Sequence, residues 1–225
     1  MGNRAIVTTA DGEIGVYLHW NGGRGSVEAF LAYCELKRYR PPSEDAAYGF
    51  ARLAQVVGNF FGGTLSVGVV PYDPDDEALA GLDNGVYVID GWRIAGRVMP
   101  GGDYREKPAA APLPQMLHSI DSRQPACEQL GAFIDAPVLA TDQIVCGDEV
   151  WVYDGLRKVE GRSVAGYVPA TVLAMGAGEL NGIEVDGVPI VDLYVDGECT
   201  GEDNINNYLL EDSYRLIRHE IALTA

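Results

Sequence analysis

AIVTTADGEIGVYLHWNGGRGSVEAFL, residues 5–31, decides how the chain begins. Ala5–Thr9 and Gly15–His19 are two β-rich runs on either side of Asp11-Gly12, a dipeptide that tolerates the positive φ angles of a tight hairpin. The glycine-rich segment Asn21-Gly22-Gly23 then breaks the pattern. Val27, Phe30, Leu31 and Cys34 recur at i, i+3, i+4 and i+7, the spacing of one apolar helical face. Ser26 is expected to cap this helix through its hydroxyl, with Glu28 in the first turn. The chain therefore opens as strand, turn, strand, helix.

The same punctuation continues outward. Asp-Gly recurs at residues 90, 154, 186 and 196 and Asn-Gly at 84 and 181, so much of the chain is expected to be antiparallel sheet. Pro41-Pro42 should end the first helix. A second is expected from Ser43, with Ala46, Ala47, Phe50, Leu53, Ala54 and Val57 on one side, closed by Gly62-Gly63. Thr64–Val70 reads as a strand, Asp73–Glu77 as the start of a short helical turn, and Val86–Ile89 with Trp92–Val98 as a second hairpin. Pro100–Pro114 is linker-like, and Met116–Ile134 is helical in two pieces around Pro125. Beyond that lie short strand candidates: Ile144–Asp154, Val159–Val168, Gly182–Val188, Ile190–Val195 and Tyr214–Ile221. Asp203 is expected to cap a brief helix between the last two. This pattern predicts an α+β protein. An N-terminal layer of β-hairpins and helices (1–135) precedes a small β-barrel-like module (140–225). The boundary is soft enough for both to share one core.

Composition bounds the function. The 225 residues, 47% of them apolar, suffice for a packed core. No apolar run reaches the roughly 20 residues of a membrane span, and the first residues lack the layout of a signal peptide, so a cytoplasmic protein is expected, with no membrane partner. Cys34, Cys127, Cys146 and Cys199 are far apart and form no C-x-x-C pair, so reduced thiols, and neither a metal nor a cofactor, are expected. The net charge is −17, and Ser163–Tyr214 holds ten acids and no Lys or Arg. Such a surface disfavours direct nucleic-acid binding and attracts basic partners or cations.

Reactive side chains are densest in Tyr17–Ser26. His19 can serve as a general base, Ser26 as a nucleophile if His19 folds back onto it, and Arg24 with the helix N-terminus as an anion site. His19, Trp20, Asn21 and Arg24 are thus the candidate ligand-binding residues, and His19 and Ser26 the candidate catalytic pair. The competing reading is architectural: glycines for the turn, Trp20 plugging the core, Ser26 as a cap. The glycine spacing matches neither the dinucleotide fingerprint nor the P-loop. His118 and His219 read as surface or partly buried, and Cys34 as a core thiol. Asp196–Asn204 lacks EF-hand spacing. Trp92, Trp151 and Tyr153 either form a binding face or alternate between core and rim.

YLHWNGGRGSVEAFL (17–31), YGFARLAQVVGNFFGGTLSVGV (48–69) and DNGVYVIDGWRIAGR (83–97) resemble a group of bacterial proteins, some carried on phages and other mobile elements. The resemblance covers the first 135 residues. The group has no established activity, so it implies no catalytic residues. The expectation that emerges is an acidic interaction protein without catalytic function, with Glu184, Asp186, Asp192, Asp196, Glu198, Glu202 and Asp203 meeting a basic protein. In its sharper form the carboxylates imitate DNA in the groove of a nucleic-acid-binding enzyme. The alternative is a small-ligand-binding or hydrolytic enzyme that uses the His19–Ser26 loop.

Overall fold

A computed structural model describes the backbone of residues 3–99, 111–154, 158–159, 162–163, 166–180, 183–195, 198–199 and 213–218; side chains are described over 3–77, 79–99, 111–153, 166–176 and 215–217. The protein is α+β. It divides into two compact units, Met1–Gln129 and Leu130–Ala225.

The first unit contains β1 (Ala5–Thr9), β2 (Ile14–Leu18), α1 (Arg24–Leu36), α2 (Ala46–Phe60), β3 (Val67–Pro71), β4 (Val86–Asp90), β5 (Arg93–Val98) and α3 (Leu113–Asp121). Its sheet runs β3-β2-β1-β4-β5. Both predicted hairpins form, β1 with β2 and β4 with β5. The central pairing departs from the antiparallel expectation: β4 lies parallel to β1, with Ile6 opposite Val86 and Thr9 opposite Ile89. A parallel neighbour needs a long return of the chain, and the helices between β2 and β4 supply it. Strand alternation then gives the sheet two buried faces. Ile6, Tyr17, Val70 and Val86 pack under Leu79 and Leu82 of the turn before β4. Ala5, Val7, Val16, Leu18, Tyr87 and Ile89 occupy the other face and are buried, on a sheet whose β2 and β3 contact α2 and whose β5 contacts α1.

Val27, Phe30, Leu31 and Cys34 are all buried on α1, as their spacing predicts. On α2 the buried set is Gly49, Phe50, Leu53, Val56 and Val57, while Ala46 and Ala47 are exposed. The helix starts differ from expectation. α1 begins at Arg24 behind Gly23 with no side-chain cap; Ser26 lies inside the first turn, its N–H donating to the Gly23 carbonyl at 3.0 Å. α2 begins three residues after Ser43, because the Asp45 carboxylate accepts from the Tyr48 N–H at 3.1 Å. Ser43 instead accepts from the Gly91 N–H. α1 also stops at Leu36, ahead of the prolines, where Arg38 turns left-handed at φ 54°. Gly62 and Gly63, at φ 67° and 78°, close α2 as glycines after a helix do. Of the linker-like stretch Pro100–Pro114, 100–110 lie outside the described residues, and Pro112 and Pro114 open α3; a 3-10 turn follows Pro125 at Ala126–Glu128. A buried polar network holds this last segment to the helices. The Tyr33 hydroxyl donates to Asp121 at 2.7 Å, Gln124 donates to the carbonyls of Val56 and Ile120, Asn59 donates to Gln124, and Lys37 donates to the Glu128 carbonyl at 2.6 Å.

The second unit contains β6 (Val138–Ala140), β7 (Glu149–Asp154), β8 (Lys158–Val159), β9 (Arg162–Ser163), β10 (Gly166–Leu180), β11 (Ile183–Val195), β12 (Glu198–Cys199) and β13 (Ser213–Arg218). Its main sheet runs β12-β11-β10-β7-β13-β6, and β8 pairs with β9. The barrel-like expectation is corrected: among the described residues this sheet is open, with β12 and β6 at its edges. Gly182–Val188 and Ile190–Val195 are not separate strands but parts of β11. Asp186-Gly187 is no turn, because register shifts against β10 absorb an extra residue there. The partner β10 includes 169–180, where no strand is predicted, and only the end of the predicted Val159–Val168 strand falls on it. The Asp203 helix lies outside the described residues. Ile144, Val150, Val152, Val168, Ala170 and Val172 form the core of this unit. Trp151 and Tyr153 alternate with Val150 and Val152 on β7, so they belong to the sheet's other face. There Phe133 stacks on Tyr167 at 3.6 Å, and Arg215 lies 4.7 Å above the Phe133 ring. The same guanidinium donates to the carbonyls of Phe133, Ile134 and Ala136.

Candidate functional site

The end of β2 holds the His19 loop in place. The His19 N–H donates to the Ser66 carbonyl at 2.9 Å, and its own carbonyl accepts from the Asn3 N–H at 3.2 Å. Tyr17 and His19 are two residues apart along the strand, hence on one face, and Tyr17 Oη meets His19 Nδ1 at 2.9 Å. Trp20 stands edge-on to the imidazole at 4.8 Å and 83°. It does not plug the core: 41% of it is exposed. Asn21 then takes a left-handed φ of 54°. Gly22 donates to the Asn3 carbonyl at 2.7 Å, so closely that a Cβ there would come within 2.5 Å of that oxygen. The turn can therefore be made only with glycine at 22.

Arg24 pairs with Glu28 one helical turn later at 2.7 Å, and both side chains are half-exposed. Among the described residues no hydrogen bond joins His19 to Ser26, so the candidate nucleophile–base pair is not assembled. The loop brings His19 together with Tyr17 and Trp20 instead. Arg4, next to Asn3 in the chain, pairs its guanidinium with Asp83 at 2.9 Å. The hydrogen bond from Arg4 holds the Asp83 carboxyl below the usual carboxylate range. Tyr17, Arg4 and Asp83 were not singled out by the sequence. The alternation of Tyr17 with His19 was the available signal for Tyr17; nothing local links Arg4 to Asp83. What this corner can do chemically is stack an aromatic ring on Trp20 and exchange a hydrogen bond through the imidazole.

The acidic candidates fall on the long hairpin of the second unit. Glu184, Asp186 and Asp192 are positions on β11 and Glu198 is on β12, while Asp196, Glu202 and Asp203 lie outside the described residues. Glu184 is the register partner of Glu179, Asp186 of Ala177 and Asp192 of Thr171. No group of three or more His, Cys, Asp or Glu able to hold a metal ion occurs among the described residues. No described helix is long and apolar enough to cross a membrane.

The remaining candidates separate cleanly. Cys34 is fully buried, and burial pushes its thiol well above the ordinary range, which removes it as a nucleophile. Cys146 is exposed and donates to the Leu173 carbonyl. His118 is exposed on α3, and His219 lies outside the described residues. Trp92 is a core residue, its indole donating to the Tyr39 carbonyl at 2.6 Å. Trp151 and Tyr153 are half-buried beside Phe133 and Tyr167. No protein-family model, no curated protein and no solved structure matches this chain.

Proposed function

We propose that this protein works by association, and that its C-terminal hairpin offers carboxylates to a basic protein partner. The observation that carries this reading is the β10–β11 register. It makes Glu179 and Glu184 cross-strand partners in a run, Ser163–Tyr214, that contains no Lys or Arg. Like charges at directly opposed positions destabilise a hairpin, and with no cation in the run the relief must come from outside it. A cationic surface provides that relief, and its attraction weakens with salt as the Debye length shrinks. The sharper form of the proposal is a mimic of the nucleic-acid backbone: alternate residues of a strand stand roughly 6.6–6.8 Å apart, giving Glu184 and Asp186 the regular spacing that a basic groove can follow.

The test uses purified restriction enzymes and nucleases acting on duplex DNA. The expected result is inhibition by the intact protein that fades between low and high salt, and that is lost when Glu184→Gln, Asp186→Asn and Asp192→Asn are combined. Full inhibition by the triple variant, or none by the parent protein, would sink the reading.

The half-exposed Trp20 against His19 favours a second reading, small-ligand binding at that corner. Titration with an aromatic carboxylate such as benzoate, followed by Trp20 fluorescence, checks it: quenching lost in Trp20→Ala supports the reading, and no saturable change counts against it.

A further inference from the structure

The two edges of the first sheet are built differently. At one edge β5 carries Arg93 and Arg97, and its pairing with β4 contains a register shift. Charges and bulges are the devices that stop an edge strand from pairing with another chain. At the other edge β3, VGVVP, has no charged residue, and its pairing with β2 is unbroken from Ile14–Pro71 to Leu18–Val67. Among the described residues β3 has a neighbour on one side only.

The ladder shows which groups face outward. His19 N–H donates to the Ser66 carbonyl and Tyr72 N–H to the Glu13 carbonyl, so the even-numbered residues bond inward to β2. Alternation then turns the N–H and C=O of Val67 and Val69, and the C=O of Pro71, to the open side. Exposed apolar side chains flank this edge, on β3 and just before it: Val69 is 59% exposed and Leu65 fully so. One end of the edge is strongly acidic. Pro71 leads into exposed Asp73, Asp75, Asp76 and Glu77, and the Tyr72–Glu13 bond sets exposed Asp11 and Glu13 beside them. Residues 5–23 and 53–92 contain no Lys or Arg.

We infer that β3 accepts an extended peptide as a sixth strand, antiparallel, with β-branched side chains and a basic N-terminal end. Main-chain bonds to Val67 and Val69 supply affinity without regard to sequence, and contacts at Val69 and Leu65 select apolar residues. Antiparallel addition brings the start of the peptide to the Pro71 end, where the carboxylates lie. Orientation is therefore set by charge. This site is separate from the acidic hairpin of the second unit and stands or falls independently of it.

The probe is the heptapeptide Lys-Lys-Thr-Val-Thr-Val-Thr, amidated at its C-terminus and added to the full chain. Its isomer with both lysines moved to the C-terminal end serves as the orientation control. Amide exchange read by NMR should slow at Val67 and Val69. The first peptide should bind about fivefold tighter than the isomer at low salt. N-methylation of alternate peptide nitrogens, a change made only in the probe, should abolish binding. Val69→Lys, at an exposed position, should do the same, while Val98→Lys on the opposite edge should leave binding unchanged. Equal affinity of the two isomers, binding that survives N-methylation, protection appearing on β5, or dimerisation through β3 in sedimentation would each overturn the inference.

Discussion

The two units bury their sheets by different means. In the first, five strands are covered by helices and by the Leu79–Leu82 turn, and the largest fully buried side chains are Tyr33, Tyr87, Phe30 and Phe50. Among the described residues of the second, the core is Ile144 with valines and an alanine against one face of the sheet. A charged residue organises the opposite face, where Arg215 gathers three carbonyls and an aromatic ring. The charge follows the same division. Residues 130–225 carry 17 acids against five bases, while the first 129 residues carry 16 against 11. Large aromatic side chains fill the first interior, whereas in the second unit Arg215 ties the Phe133–Ala136 segment to the face opposite the valines.

That contrast can be broken at the side chains that define it. Phe50→Ala should cost the first unit about 3–5 kcal/mol, because a fully buried aromatic leaves a cavity that a packed helix–sheet layer cannot collapse. Denaturant titration followed by amide exchange in β1 and β4 measures it, and a cost under about 1 kcal/mol would contradict the packing described. In the second unit Arg215→Met keeps the length and apolar stem but removes all three carbonyl bonds. It should cost about 2–3 kcal/mol, read as faster exchange of β7 and β13 amides; no change would mean that the aromatic stack alone holds this face. The smallest expected effect sharpens the comparison from the helical side. Asp45→Ala should cost about 1 kcal/mol through loss of the α2 cap, and Ser43→Ala should leave helix content unchanged by circular dichroism, whereas Ser26→Ala should not lower the stability of α1 through any cap.

Much of the first unit was legible because its signals are local. The Asp11-Gly12 and Asp90-Gly91 turns, the apolar face of α1 and the Gly62-Gly63 stop each depend on residues a few positions apart. The parallel β1–β4 pair was not legible, since nothing in either strand states its partner. Ser26 and Ser43 are good capping residues in good positions, but Gly23 and Asp45 were reached first by the helices. In the second unit the Asp186-Gly187 pair misled for a physical reason: a dipeptide that tolerates positive φ can also sit in a strand when a bulge beside it takes up the extra residue. At the candidate site, the residue types of the His19 loop were readable and their company was not. Tyr17 came to His19 through strand alternation, and Trp20 turned out to face solvent because the chain leaves the sheet before it.

The register of β1 against β4 has a consequence for how the chain is made. Thr9 and Ile89 are partners separated by 80 positions, so β1 leaves the ribosome long before its second neighbour exists. At the usual pace of synthesis that interval is roughly 4–16 s. During it the β1–β2 hairpin carries a naked inner edge of alanine, isoleucine and valine, which is the period when a nascent-chain chaperone would matter most.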